Sequence, residues 1–142
     1  MTQPIELSKP FPTRDLAAMG GFRRVLANNT VWEHSEYAFW VILKTGGGEI
    51  KYHFSTPQTD GSSHGVTLTL PVGYMVRAFC HTHPKTISTG NFSSGDLRQF
   101  KELTTEHNLH LVFYLLNPQQ QIRMAEDEKD FMAGKSVSWI DC

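Results

Sequence analysis

The chain has 142 residues, 39% of them apolar and 19% charged, which fits a globular protein with enough chain for a sizeable core. Lys and Arg number 13 against 14 Asp and Glu, a net charge of −1, so the basic excess typical of nucleic-acid and anionic-membrane binders is missing. No apolar run approaches the roughly 18 residues that a membrane helix needs, and Met1–Glu6 lacks the basic and apolar regions of a secretory signal. Two cysteines, Cys80 and Cys142, make no disulfide framework and fit a reducing compartment. The expected setting is therefore cytoplasmic, or delivery without a classical signal peptide. The unusual feature is seven histidines, two of which are separated by a single residue.

One domain is expected over residues 1–142, with Met1–Pro12 as an irregular lead-in. Thr13 is placed to cap a helix running to about Ala27, with Leu16, Met19, Phe22 and Leu26 at helical spacing. Gly20 and Gly21 each weaken that helix by roughly 1 kcal/mol relative to Ala, a cost that makes sense only if something packs closely there. Asn28 and Asn29 are suited to end it. Tyr37–Leu43 reads as a buried strand, Thr45–Gly48 as a turn, and alternating Ile50, Tyr52 and Phe54 as the second arm of a hairpin. Pro57–Gly65 is a polar loop. Val66, Leu68 and Leu70 alternate as a third strand, and Tyr74–His81 is a mostly apolar, central fourth.

After a loop over His83–Phe92, Ser93 opens a helix with Leu97, Phe100 and Leu103 on one face. His110–Leu116 is a fifth strand ended by Asn117-Pro118, and Ile122–Met124 pairs with it. An acidic helix over about Glu126–Ala133 and a short strand, Val137–Ile140, complete the chain. The expected fold is α+β, a curved and mostly antiparallel sheet flanked by helices.

His81-Thr82-His83-Pro84 lies where the central strand runs out. On an extended backbone residues i and i+2 face the same way, so both imidazoles reach toward one point. Pro84 disfavours a helical conformation at His83. Ser93-Ser94-Gly95-Asp96 begins the next helix and puts Asp96 in its first turn, where an acid is favoured and can lean back toward the strand end. Two His and one Asp leave a fourth position of a zinc ion for water, the open pattern of catalytic rather than structural zinc. A hydrolase of this kind also needs a proton-transferring acid that is not a ligand. Glu33, Glu36 and Glu49 are the candidates. Glu36 is preferred because a rigid strand follows it directly, whereas Glu49 adjoins three glycines. Ser93 has a second possible role as a donor to an oxyanion.

These residues resemble the JAMM motif of the JAB/MPN zinc metallopeptidases: His81-x-His83-Pro84, eight residues, then Ser93-x-x-Asp96, with a glutamate at an upstream strand start. The resemblance covers about Glu36–Asn117. It implies a JAB/MPN fold of the cytidine-deaminase-like type, zinc held by His81, His83 and Asp96, Glu36 as general acid/base, and Ser93 polarising the scissile carbonyl. The implied activity is that of a peptidase or isopeptidase acting on a protein or peptide, ubiquitin-like conjugates included. The leading helix and the aromatic strand after Glu36 are most similar to a bacterial JAB-like branch found at the ends of large secreted toxins, which implies an effector role. Metal-free relatives serve as binding or assembly modules, the competing expectation. Where many members carry a small residue soon after the glutamate, this chain has Ala38, Phe39 and Trp40.

Plainer readings stand beside these. Ser93-x-x-Asp96 also fits a helix capping box. Cys80 faces the opposite side of its strand from His81, so the two form no thiol–imidazole pair. Trp32, Trp40 and Trp139 read as core, and His34, His53, His64, His107 and His110 as isolated histidines without a metal role.

Overall fold

A computed structural model describes residues 5–27, 34–59, 68–84, 92–133 and 135–139. The expected features at Asn28, Asn29, Trp32, Glu33, His64, Val66, Ile140 and Cys142 lie outside those residues.

The chain folds as α1 (Arg14–Ala27), β1 (Ala38–Gly46), β2 (Glu49–Phe54), β3 (Met75–Thr82), α2 (Ser94–Lys101), β4 (Val112–Leu116), β5 (Ile122–Ala125), α3 (Asp130–Ala133) and β6 (Lys135–Val137). One π-helical turn, Glu102–Glu106, continues α2. The six strands form a mixed sheet in the order β2-β1-β3-β4-β5-β6. Every pairing is antiparallel except β3–β4, which is parallel and is connected through α2. The fold is thus α+β, a mostly antiparallel sheet flanked by helices, as the composition and patterning indicate.

Alternation along the central strands divides the core in two. On the α1 face, Ala17, Ala18, Met19 and Phe22 pack on Phe39, Val41, Ala78, Cys80 and Tyr114. On the α2 face, Phe100 and Leu103 pack on Trp40, Phe79, Phe113 and Leu115, with Phe92 and Phe131 closing over them. Thr13 caps α1 by accepting from the Leu16 N–H at 3.1 Å. The glycines of α1 have the reason that their cost demanded. A Cβ on Gly21 would lie 2.3 Å from the Phe39 ring, and one on Gly20 would lie 2.6 Å from Phe11. The β1–β2 turn uses Gly47 and Gly48 at φ +60° and +80°, the region that glycine enters at no steric cost.

Five expectations change. Residues 68–70 are not a strand: both sides of β1 are already taken, by β2 and β3, and the Trp40 indole N–H donates instead to the Thr69 carbonyl at 3.2 Å. The acidic helix is shorter than Glu126–Ala133. Asp127 and Asp130 side chains accept from backbone N–H groups at Lys129, Asp130 and Glu126, holding a turn where a helix would start. The last strand begins at Lys135, two residues before Val137. Ile50, expected on the buried side of β2, is 56% exposed because the turn end of the β1–β2 hairpin is exposed on both arms. The lead-in is less irregular than expected, since Phe11 exchanges two backbone hydrogen bonds with Tyr52 and Ser8 donates to the Phe54 carbonyl, covering part of the β2 edge.

Candidate metal centre

The site forms at the end of β3, where the strand, the α2 N-terminus and the start of β1 converge. His81 closes the ladder opposite Ala38, and the His83 N–H extends the pairing with β4 by donating to the Leu116 carbonyl at 3.0 Å. Both rings therefore stand on the α2 face. Ser93 is the N-cap of α2, and the capping box is fully made: the Ser93 hydroxyl accepts from the Asp96 N–H at 3.1 Å, and Asp96 Oδ2 accepts from the Ser93 N–H at 2.7 Å. The same carboxylate meets both histidines, with His81 Nε2 3.1 Å from Oδ1 and His83 Nε2 3.3 Å from Oδ2. Capping and ligation are thus compatible here, because the cap fixes the carboxylate that the rings face.

His81, His83 and Asp96 are all buried, and one ligand atom from each lies within 4.8 Å of the others. They form a buried group able to hold a metal ion. The rings of Phe79, Phe92 and Phe113 surround His81 at centroid separations of 5.7, 6.0 and 6.4 Å. The fully buried His81 ring has Asp96 Oδ1 3.1 Å from its Nε2 and the Tyr114 backbone beside it. A cation between imidazole and carboxylate would use the Nε2 lone pair, so the donor set fits a metal ion.

Electrostatics point the same way. Burial alone would push the Asp96 carboxyl up, but the charge of His81, the approach of both imidazoles and the Ser93 N–H together hold it well below the usual carboxylate range. Burial pulls His81 down, yet Asp96 and, less strongly, Glu36 outweigh it and raise its proton affinity. A pocket that stabilises a proton on His81 beside a carboxylate suits a small cation at the same point.

The other candidates fall as follows. Glu36 precedes Tyr37 at the head of β1, is half-buried, and its charge reaches His81. Glu49 pairs with Gly46 at the far end of the hairpin and lies 3.9 Å from Lys51, remote from the histidines. Ser93 lies at the site but uses its hydroxyl oxygen as a cap. Cys80 lies in the α1-side cluster, where burial pushes its thiol up. Trp40 is core, and Trp139 lies beneath the Arg23 guanidinium at 5.2 Å from the ring.

Sequence reasoning passed over Thr82, whose buried hydroxyl accepts from the Tyr37 N–H at 2.9 Å. The signal available was a polar residue between the two ligands on the opposite, apolar face of the strand. No protein-family model, curated protein or solved structure matches the chain. No described helix is long and apolar enough to cross a membrane.

Proposed function

We propose that this chain is a zinc-dependent amide hydrolase of the JAMM type, acting on a peptide or isopeptide bond of a protein substrate. The observation that carries the reading is the buried His81–His83–Asp96 group, with one ligand atom from each residue within 4.8 Å of the others. The order and spacing of these residues, together with the upstream Glu36, support it further. A bound zinc supplies Lewis acidity and brings the ionisation of water to near neutral pH. His81 and His83 hold the ion through their ring nitrogens. Asp96 completes the set from a carboxylate oriented by the Ser93 N–H. Glu36 takes a proton on its carboxylate and returns it to the leaving amine nitrogen. The Ser93 hydroxyl retains a hydrogen to donate toward an oxyanion while its oxygen caps α2.

The substrate class, including ubiquitin-like conjugates and an effector setting, rests on the motif resemblance. Elemental analysis of protein purified without chelator is expected to give about one zinc per chain, and Asp96→Asn to lose most of it. Glu36→Gln is expected to keep the metal and to lose about 10²–10⁴-fold in turnover on a panel of peptide- and isopeptide-linked substrates. A wild-type chain that takes up no zinc would end this reading. A fully active Glu36→Gln protein would remove Glu36 from it.

A further inference from the structure

We infer that Thr82, the residue between the two histidines, is a positioning residue that sets Glu36 against the metal site. The inference rests on the proposed hydrolase reading for its purpose, and on backbone geometry for its substance. The N–H and C=O of Ala38 are both spent on Gln58, at 2.9 Å each, so Ala38 and His81 oppose each other without exchanging hydrogen bonds. In a regular antiparallel ladder the next pair, Tyr37 and Thr82, would then exchange two backbone hydrogen bonds. Only one of them is regular: the Thr82 N–H donates to the Tyr37 carbonyl at 2.9 Å. The return bond goes from the Tyr37 N–H to the Thr82 hydroxyl, also at 2.9 Å, in place of the Thr82 carbonyl.

The chain is thus clamped to β3 at Tyr37 and leaves the ladder there, with Glu36 as the next residue out. Thr82 is fully buried, so the bond is shielded from water and its loss would leave the Tyr37 N–H without this partner. The clamp and the ligands share three consecutive residues at the end of β3: His81 and His83 face one side, and Thr82 between them holds the strand that delivers Glu36. The charge of Glu36 does reach His81. A valine in place of Thr82 would preserve the shape and delete the acceptor, whereas serine would keep it.

The test uses the full chain with cobalt(II) as the probe, reading the pH dependence of its visible absorption rather than any turnover. Glu36→Gln is expected to shift the midpoint of that profile. Thr82→Val should bind one equivalent of cobalt and shift the midpoint in the same direction. The Thr82→Val/Glu36→Gln double variant should shift it no further than Glu36→Gln alone, and Thr82→Ser should match wild type. A folded, cobalt-loaded Thr82→Val protein with the wild-type profile overturns the inference, as does a double variant whose two shifts simply add. Amide exchange at Tyr37 in the unsubstituted protein reads the clamp without any variant: exchange at the rate of an open amide overturns the inference, and protection that Thr82→Ser preserves supports it. If the wild type takes up no cobalt, the hydrolase reading fails separately, and a Glu36 carboxyl titration in metal-free protein that is identical in wild type and Thr82→Val overturns the clamp's role.

Discussion

At the scale of single residues, Asp96 carries the heaviest load. Its Oδ2 is fixed by the Ser93 N–H at 2.7 Å, and its two oxygens face the two histidines. That arrangement has a pH consequence for metal uptake. Histidine binds a metal only as the neutral ring, so a proton and the cation compete for His81. Burial works against the proton, but Asp96 overrides it, and His81 holds its proton above the ordinary value of 6.5. Affinity should therefore rise with pH through that elevated value. Below it, affinity should fall by about tenfold per pH unit for each proton displaced. Competition with a chelator between about pH 5 and 8 checks this, and an affinity flat across that range would contradict it.

At the scale of elements, the glycine pair in α1 shows how a local cost buys close packing. Phe39 is fully buried between Phe22 and Phe54, with ring centroids at 5.2 and 5.9 Å, and has nowhere to retreat. Gly21→Ala gains roughly 1 kcal/mol in helix propensity but drives a methyl into that ring, a strain of about 1–3 kcal/mol. The expected result is net destabilisation, seen as a lower denaturant midpoint with an unchanged slope. A midpoint equal to or above wild type would show that Phe39 can yield.

The elements also show what was legible in the sequence. Strong periodicity marked α1, β1, β3, α2 and β4, and the i, i+2 histidines with an acid in the next helical turn marked the candidate metal group. Residues 68–70 alternate like a strand, yet strand pairing is a global property, and both sides of β1 were already taken. The Asp127 and Asp130 turn was hidden because acidic residues suit a helix start and a side-chain-bonded turn equally. Thr82 was missed because its role depends on which side of Ala38 carries the hydrogen bonds, and residue type does not reveal that.

At the scale of the whole molecule, the two faces of the sheet do different work. The α2 face carries the histidines, whereas the α1 face carries a polar tie between helix and sheet. Arg14 Nε donates to the Tyr114 hydroxyl at 3.0 Å, and that hydroxyl donates to Asp15. Burial and the bond to Asp15 push the Tyr114 pKa well above its ordinary value of 10.0. A raised pKa on an acid favours the neutral form in the folded state. Its stabilisation is fully present below about pH 10 and is lost as pH climbs toward the elevated value. Tyr114→Phe is expected to cost about 1–3 kcal/mol near neutrality by leaving Asp15 and Arg14 short of a partner. The gap to wild type should narrow in denaturation curves above about pH 10. A gap that stays constant with pH would detach the tyrosine from alkaline stability.

The three candidate donors come from one short stretch, His81 to Asp96, whereas Glu36 comes from the head of β1, well upstream in the chain. Closing so short a segment costs little chain entropy. In the proposed hydrolase this segment could then close around an ion largely by itself, while proton transfer would need the first strand docked beside it. Under that reading, capture and competence belong to separate stretches of the chain.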